Sequence, residues 1–205
     1  LFATAALAQY DPPAGYYSTA EGKSGAALRS ALQTITQTGH VKLTYANVWN
    51  ALQAADEDPN NTANILCIYT NRSIPKSARD GSSSATIVWN REHSWPKSYG
   101  FDAESFLPYT DVHHLFACEK VSNSTRNNRY YDFGGTSTLA PVGTTSVNRY
   151  DADSWETWDG RKGDCARAMF YMDVRYAGQS STQPNLVLGD ATTATGQARM
   201  AKLST

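Results

Sequence analysis

The sequence predicts an α+β fold: a helix-rich single domain around a small central antiparallel sheet. Three observations carry that expectation. Apolar residues recur at helical spacing in three separate stretches. Two short β-prone runs lie between them. The chain's 205 residues, with 40% hydrophobic content, can bury one substantial core.

Residues 1–8, "LFATAALA", are short and apolar, and Ala6-Leu7-Ala8 before Gln9 fits small-x-small cleavage. They read as the remnant of an export signal, with an ordinary apolar strand or helical turn as the alternative. Residues 9–205 are then the single domain. Ser24 can cap a first helix in which Leu28, Ala31, Leu32 and Ile35 follow one face and Gly39 ends the run. A second helix follows Thr44, with Tyr45, Val48, Trp49 and Leu52 as its core stripe, and gives way to the acidic turn "DEDPNN". "NILCIYTN" (64–71) and "ATIVWN" (85–90) read as strands, and the second feeds into Glu92-His93.

Residues 134–164 are polar and turn-rich, with Trp155 and Trp158 as rim aromatics or core cover. Cys165, Met169, Met172 and Tyr176 then mark another helix with Gly178 at its exit. The closing "ATGQARMAKLST" begins a further one. No run approaches membrane-spanning length. Cys67, Cys118 and Cys165 lack metal spacing, so they form at most one disulfide or stay as buried thiols.

With 18 basic and 19 acidic residues, net charge says nothing about polyanion binding. The candidate chemistry lies between Trp89 and Phe133, which holds every histidine except His40. Residues 70–130 carry eight basic against six acidic side chains, a slight bias toward a phosphate-bearing substrate. Phosphodiester hydrolysis needs a base for water and a cation for charge on the phosphoryl and leaving oxygens. An imidazole suits the first task, and a hard divalent cation on one or two protein oxygens suits the second. Glu92 and an asparagine amide are candidate metal ligands, and His93 is the candidate base. Adjacent strand residues face opposite ways, so the strand must end or kink at this pair for both to serve one site. Asn123 and Arg126 share a helical face in "EKVSNSTRNNR". Of His113 and His114, one should face inward and one outward, in a hydrogen-bonded structural role.

"NREHSWPKSYG", "DVHHLFACEKVSNSTRNN" and "GDCARAMFYMDVRYAG" resemble the characteristic blocks of the endonuclease I family, secreted and periplasmic nucleases with a ββα-metal (His-Me finger) motif. The resemblance spans roughly residues 26–178. It implies a histidine base at His93 and magnesium, or else manganese or calcium, on Glu92 and Asn123. It places Arg126 and Asn128 on one helix, supporting the metal or the phosphate, with Arg91 and Lys97 as further nucleic-acid contacts. The implied reaction is cleavage of DNA, and also of RNA, with little sequence specificity and 5′-phosphate products. The implied location is secreted or periplasmic, with no membrane and no obligate protein partner. Two departures stand out. Some members place a phosphate-holding arginine between the His block and the Asp block, but residues 99–110 hold no Arg or Lys. The family's chain also usually continues past the end of this one. A zinc hydrolase on His93, His113 and His114, and an exported glycan-binding domain using Trp155 and Trp158, are the competing readings.

Overall fold

The computed structural model describes residues 12–141, 143–178 and 180–189. The expected export remnant and the final helix lie outside the described residues. Contacts divide the chain into a unit ending at His40 and a larger unit beginning at Val41.

The first unit contains α1 (Gly25–Gln37), whose stripe of Leu28, Ala31, Leu32 and Ile35 is half-buried. Ser24 stands at its N-cap without a side-chain capping bond, and Gly39 follows in the left-handed region at φ +75°.

In the second unit, α2 (Tyr45–Ala55) starts where Thr44 accepts a hydrogen bond from the Asn47 amide at 3.2 Å. That bond satisfies one orphan donor of the first turn. Val48 and Leu52 are fully buried from its stripe. The two expected strands form with shifted boundaries. Strand β1 (Glu57–Asp58), β2 (Asn61–Leu66) and β3 (Ser73–Pro75) make an antiparallel three-stranded sheet. Residues 67–70 leave the sheet because a tight turn, with Asn71 at φ 49° donating to the Cys67 carbonyl, reverses the chain there.

The run expected at 85–90 becomes β4 (Trp89–His93), paired antiparallel with β5 (Leu115–Glu119). "LFACE" drew no strand expectation. Leu115 and Ala117 pack with Trp89 and Leu52, while Cys118 packs with Tyr69 and Trp155 on the other side. A strand covered on both faces loses polar–apolar alternation and resembles any short apolar run. Strand β5 leads directly into α3 (Lys120–Arg126).

The polar, turn-rich stretch at 134–164 supplies β7 (Ser137–Leu139), β8 (Asn148–Tyr150) and β9 (Ser154–Glu156), which join β6 (Tyr130–Tyr131), just before it, in the order β6-β9-β8-β7. The β6–β9 pair is parallel and the others are antiparallel. Gly134 works here through close approach: a Cβ on it would stand 2.6 Å from the Arg149 backbone. In place of the single central sheet expected from sequence, the described residues form three small sheets in an α+β unit. Helix α4 (Asp159–Arg175) buries Cys165, Met169 and Met172, as its spacing predicted. It packs Met169, Met172 and Tyr176 against Trp95, Phe101 and Tyr109. All three cysteines are buried free thiols.

Candidate active site

Strand β4 stops at His93, just before Trp95-Pro96, and its last two side chains both border one cleft of about 430 Å³. Arg91, Lys97, Asn123 and Asn128 line the same cleft. Six of the seven side chains singled out from sequence thus converge, although they come from a strand, a loop, a helix and the turn after it.

Glu92 is nearly inaccessible, and the described residues bond to one of its two oxygens. Its Oε1 accepts from the Tyr69 hydroxyl at 2.7 Å and from Arg126 Nη1 at 2.9 Å. Its Oε2 takes no hydrogen bond from the described residues. Burial pushes the carboxyl above the usual carboxylate range, against the pull of the Arg126 guanidinium and the Tyr69 hydroxyl. Asn123, one turn into α3, donates through Nδ2 to Asn90 Oδ1 at 2.8 Å, and its amide oxygen takes no hydrogen bond from the described residues. These two uncommitted oxygens are hard donors of the kind a magnesium-class cation takes, with water or phosphate completing its shell. Among the described residues, no three His, Cys, Asp or Glu side chains gather as a metal-holding group.

His93 Nε2 lies 2.9 Å from the Tyr109 carbonyl. A carbonyl only accepts, so Nε2 carries the proton and the lone pair sits on Nδ1. Burial, helped by neighbouring His114, pushes the ring's pKa down to about 3 and keeps it neutral. Arg91 lies across the Tyr45 ring at 3.4 Å and near Trp49 at 4.3 Å, so Tyr45 turns from the expected core stripe into a cleft wall. Lys97 is exposed, with Nζ 3.2 Å from the Tyr109 hydroxyl.

Two expectations need correction. Arg126 is 0% exposed and does not line the cleft. Its Nη1 bonds Glu92 and the His93 carbonyl, and its Nη2 bonds the Ser94 carbonyl at 2.8 Å. It fastens α3 to the end of β4 and does not reach solvent, where a nucleic acid would lie. Asn128 was expected on the same helix, but α3 ends at Arg126 and Asn127 turns the chain at φ 54°. Asn128 nevertheless reaches the cleft from this turn, and its carbonyl accepts from Tyr99 at 2.8 Å. Sequence reasoning missed Tyr45, Asn127, Tyr69 and the Tyr109 carbonyl. Only Asn127 carried a local signal, as an asparagine, which tolerates the left-handed region, next to another at a helix end.

Among the described residues, the remaining histidines do not gather into a zinc-holding group. His114 is buried with Nε2 on the Pro108 carbonyl, while exposed His113 pairs with Asp111 and stacks on Tyr171 at 4.5 Å. The inward–outward split is as expected. Trp155 is fully buried and offers no platform to a glycan, while the half-buried Trp158 is tied by its indole N–H to the Ile68 carbonyl.

The Asp111–His113 pair makes a pH-dependent tie. Burial alone would raise Asp111, but hydrogen bonds from His113 and Tyr176 hold its carboxyl well below the usual range. The bond to Asp111 in turn raises His113. The Asp111 contribution is present above about pH 4, its unfolded value, and is lost as pH falls through the depressed folded value. The His113 contribution is complete below about pH 6.5 and disappears as pH rises through its raised folded value. We therefore expect the melting-temperature gap between wild type and His113→Ala to be widest between about pH 4 and 6.5 and to close at alkaline pH. A gap that stays constant from pH 5 to 9 would contradict this.

Comparison with known proteins adds a lineage to this geometry. A family model described as Endonuclease I matches residues 24–203. The chain is 47% identical over 189 residues to an extracellular ribonuclease of Bacillus amyloliquefaciens, and 45% identical over 188 residues to an extracellular ribonuclease of Bacillus subtilis (strain 168). Each match covers 92% of this chain and 62% of the relative, so the chain spans about 62% of the length of these curated relatives. No solved structure matches. Among the described residues, no helix is long and apolar enough to cross a membrane.

Proposed function

The chain belongs to the endonuclease I family, and from that premise we propose that it is an exported, metal-assisted nuclease cleaving RNA as well as DNA with little sequence specificity. The observation that carries this reading is the convergence of Glu92, His93 and Asn123 on one cleft beside Arg91 and Lys97. The names of the two Bacillus relatives support RNA as a substrate and the extracellular location. In this reading β4, β5 and α3 form the ββα-metal motif.

His93 takes the proton from water through Nδ1 while the Tyr109 carbonyl holds the ring in place. Phosphate in the cleft brings negative charge beside the imidazole and raises its proton affinity from the low resting value. The attacking oxygen bonds to phosphorus as the P–O3′ bond breaks, leaving a 5′-phosphate. Glu92 Oε2 and Asn123 Oδ1 would hold magnesium, with manganese or calcium as substitutes, and the cation would offset charge on the phosphoryl oxygens and the leaving group. Arg91 and Lys97 attract the backbone. With Arg126 buried and residues 99–110 lacking any cation, Lys97 is the best-placed clamp for the cleaved phosphate. Contacts confined to phosphate carry no base information, which accounts for low specificity.

The test is to incubate the full chain with homopolymeric RNA and with plasmid DNA in magnesium buffer. Both should be degraded to 5′-phosphate ends, with chelator stopping the reaction. Failure to cut either polymer, or cutting unaffected by chelator, would overturn the proposal.

A further inference from the structure

We propose that Tyr69, backed by Tyr131, is a positioning residue that turns the Glu92 carboxylate so that Oε2 alone faces the cleft; this rests on the metal-assisted reading above. Tyr69 is fully buried, with its ring packed edge-on against Trp155 at 5.1 Å, and its hydroxyl reaches Glu92 Oε1 at 2.7 Å. Packing alone would account for the ring. It does not account for a hydroxyl spent on the one carboxylate that borders the cleft among the described residues.

The last torsion of a glutamate is broad and nearly two-fold, so one donor does not decide which oxygen points outward. Arg126 Nη1 gives one of its two N–H groups to Oε1 and the other to the His93 carbonyl at 3.0 Å, so it brings a single hydrogen to the carboxylate. Tyr69 supplies a second donor to the same oxygen. Together they occupy Oε1 and leave Oε2 for a cation. An ionised carboxylate only accepts, so the single Tyr69 proton is committed to Glu92. The 2.5 Å contact between the Tyr69 and Tyr131 hydroxyls therefore has Tyr131 donating. The order is serial: Tyr131 to Tyr69 to Glu92, each bond polarising the next.

The experiment titrates manganese into the chelator-stripped full chain and follows free ion by electron paramagnetic resonance. The proteins are wild type, Tyr69→Phe, Tyr131→Phe and the double variant, and melting temperatures are recorded in parallel. Tyr69→Phe should weaken manganese binding about 10-fold, in the range seen when a hydrogen-bond partner of a metal ligand is removed. Tyr131→Phe should weaken it less. The double variant should match Tyr69→Phe to within about 2-fold, since a serial chain broken at its last link loses nothing more at an earlier one. Manganese affinity in Tyr69→Phe equal to wild type, with or without a lower melting temperature, makes Tyr69 a packing residue and overturns the inference. Additive losses in the double variant overturn the serial order. A wild type that binds no manganese overturns the metal reading itself, a result distinguishable from the others.

Discussion

Replacing Arg126 with methionine is expected to lower the stability of the fold by about 3–5 kcal/mol, the usual cost of breaking a buried ion pair from one side. The guanidinium is fully buried and supplies bonds to Glu92 and to two main-chain carbonyls at the end of β4. Methionine fills much of the space but leaves Glu92 without its countercharge and both carbonyls without that donor. Denaturant unfolding should show a lower midpoint with an unchanged slope. Adding Glu92→Gln should return part of the loss, because the uncompensated charge is then gone. An Arg126→Met protein as stable as wild type would mean that the pair contributes nothing net.

His93→Ala is expected to lower kcat by about 10²–10⁴-fold, the range for loss of a positioned general base. Neither proposed metal oxygen belongs to His93, so manganese binding should survive the change. The unfolding midpoint should fall modestly, because a buried ring is removed and the Tyr109 carbonyl loses its donor. Single-turnover cleavage of RNA measures the first effect, and metal titration of the same protein measures the second. Wild-type kcat in His93→Ala would remove the base from the mechanism.

The parts of this chain that obey one simple period were legible before any coordinates. Helices α2 and α4 bury the stripes their spacing announced, with Thr44 capping the first. The candidate site was legible for a different reason. Glu92, His93, Asn123, Arg91 and Lys97 are residue types that hydrolysis of a phosphodiester requires, and they fall in family-like blocks. What stayed hidden depends on tertiary packing. Strand β5 is buried on both faces and so lacks alternation. The β6–β9 sheet is built from strands of two or three residues, too short to show a period. Tyr69 looked like one more apolar position in a strand. Its hydroxyl acquires meaning only because a turn at Asn71 carries residues 67–70 out of the sheet, where Tyr69 meets Glu92. Arg126 shows the converse: helical spacing put it beside Asn123, but not on which side of the β4 end its head would lie.

The buried thiols carry a consequence of their own. Cys67 sits in the cluster around Val48 and Trp89, and Cys118 in the one around Tyr69 and Trp155, both at zero exposure. Burial holds both sulfurs protonated, and a protonated thiol is a poor nucleophile. An alkylating reagent can modify them only during moments when the surrounding residues part. Their labelling rates are therefore internal clocks, timing how often the packing around two neighbouring sulfurs breathes.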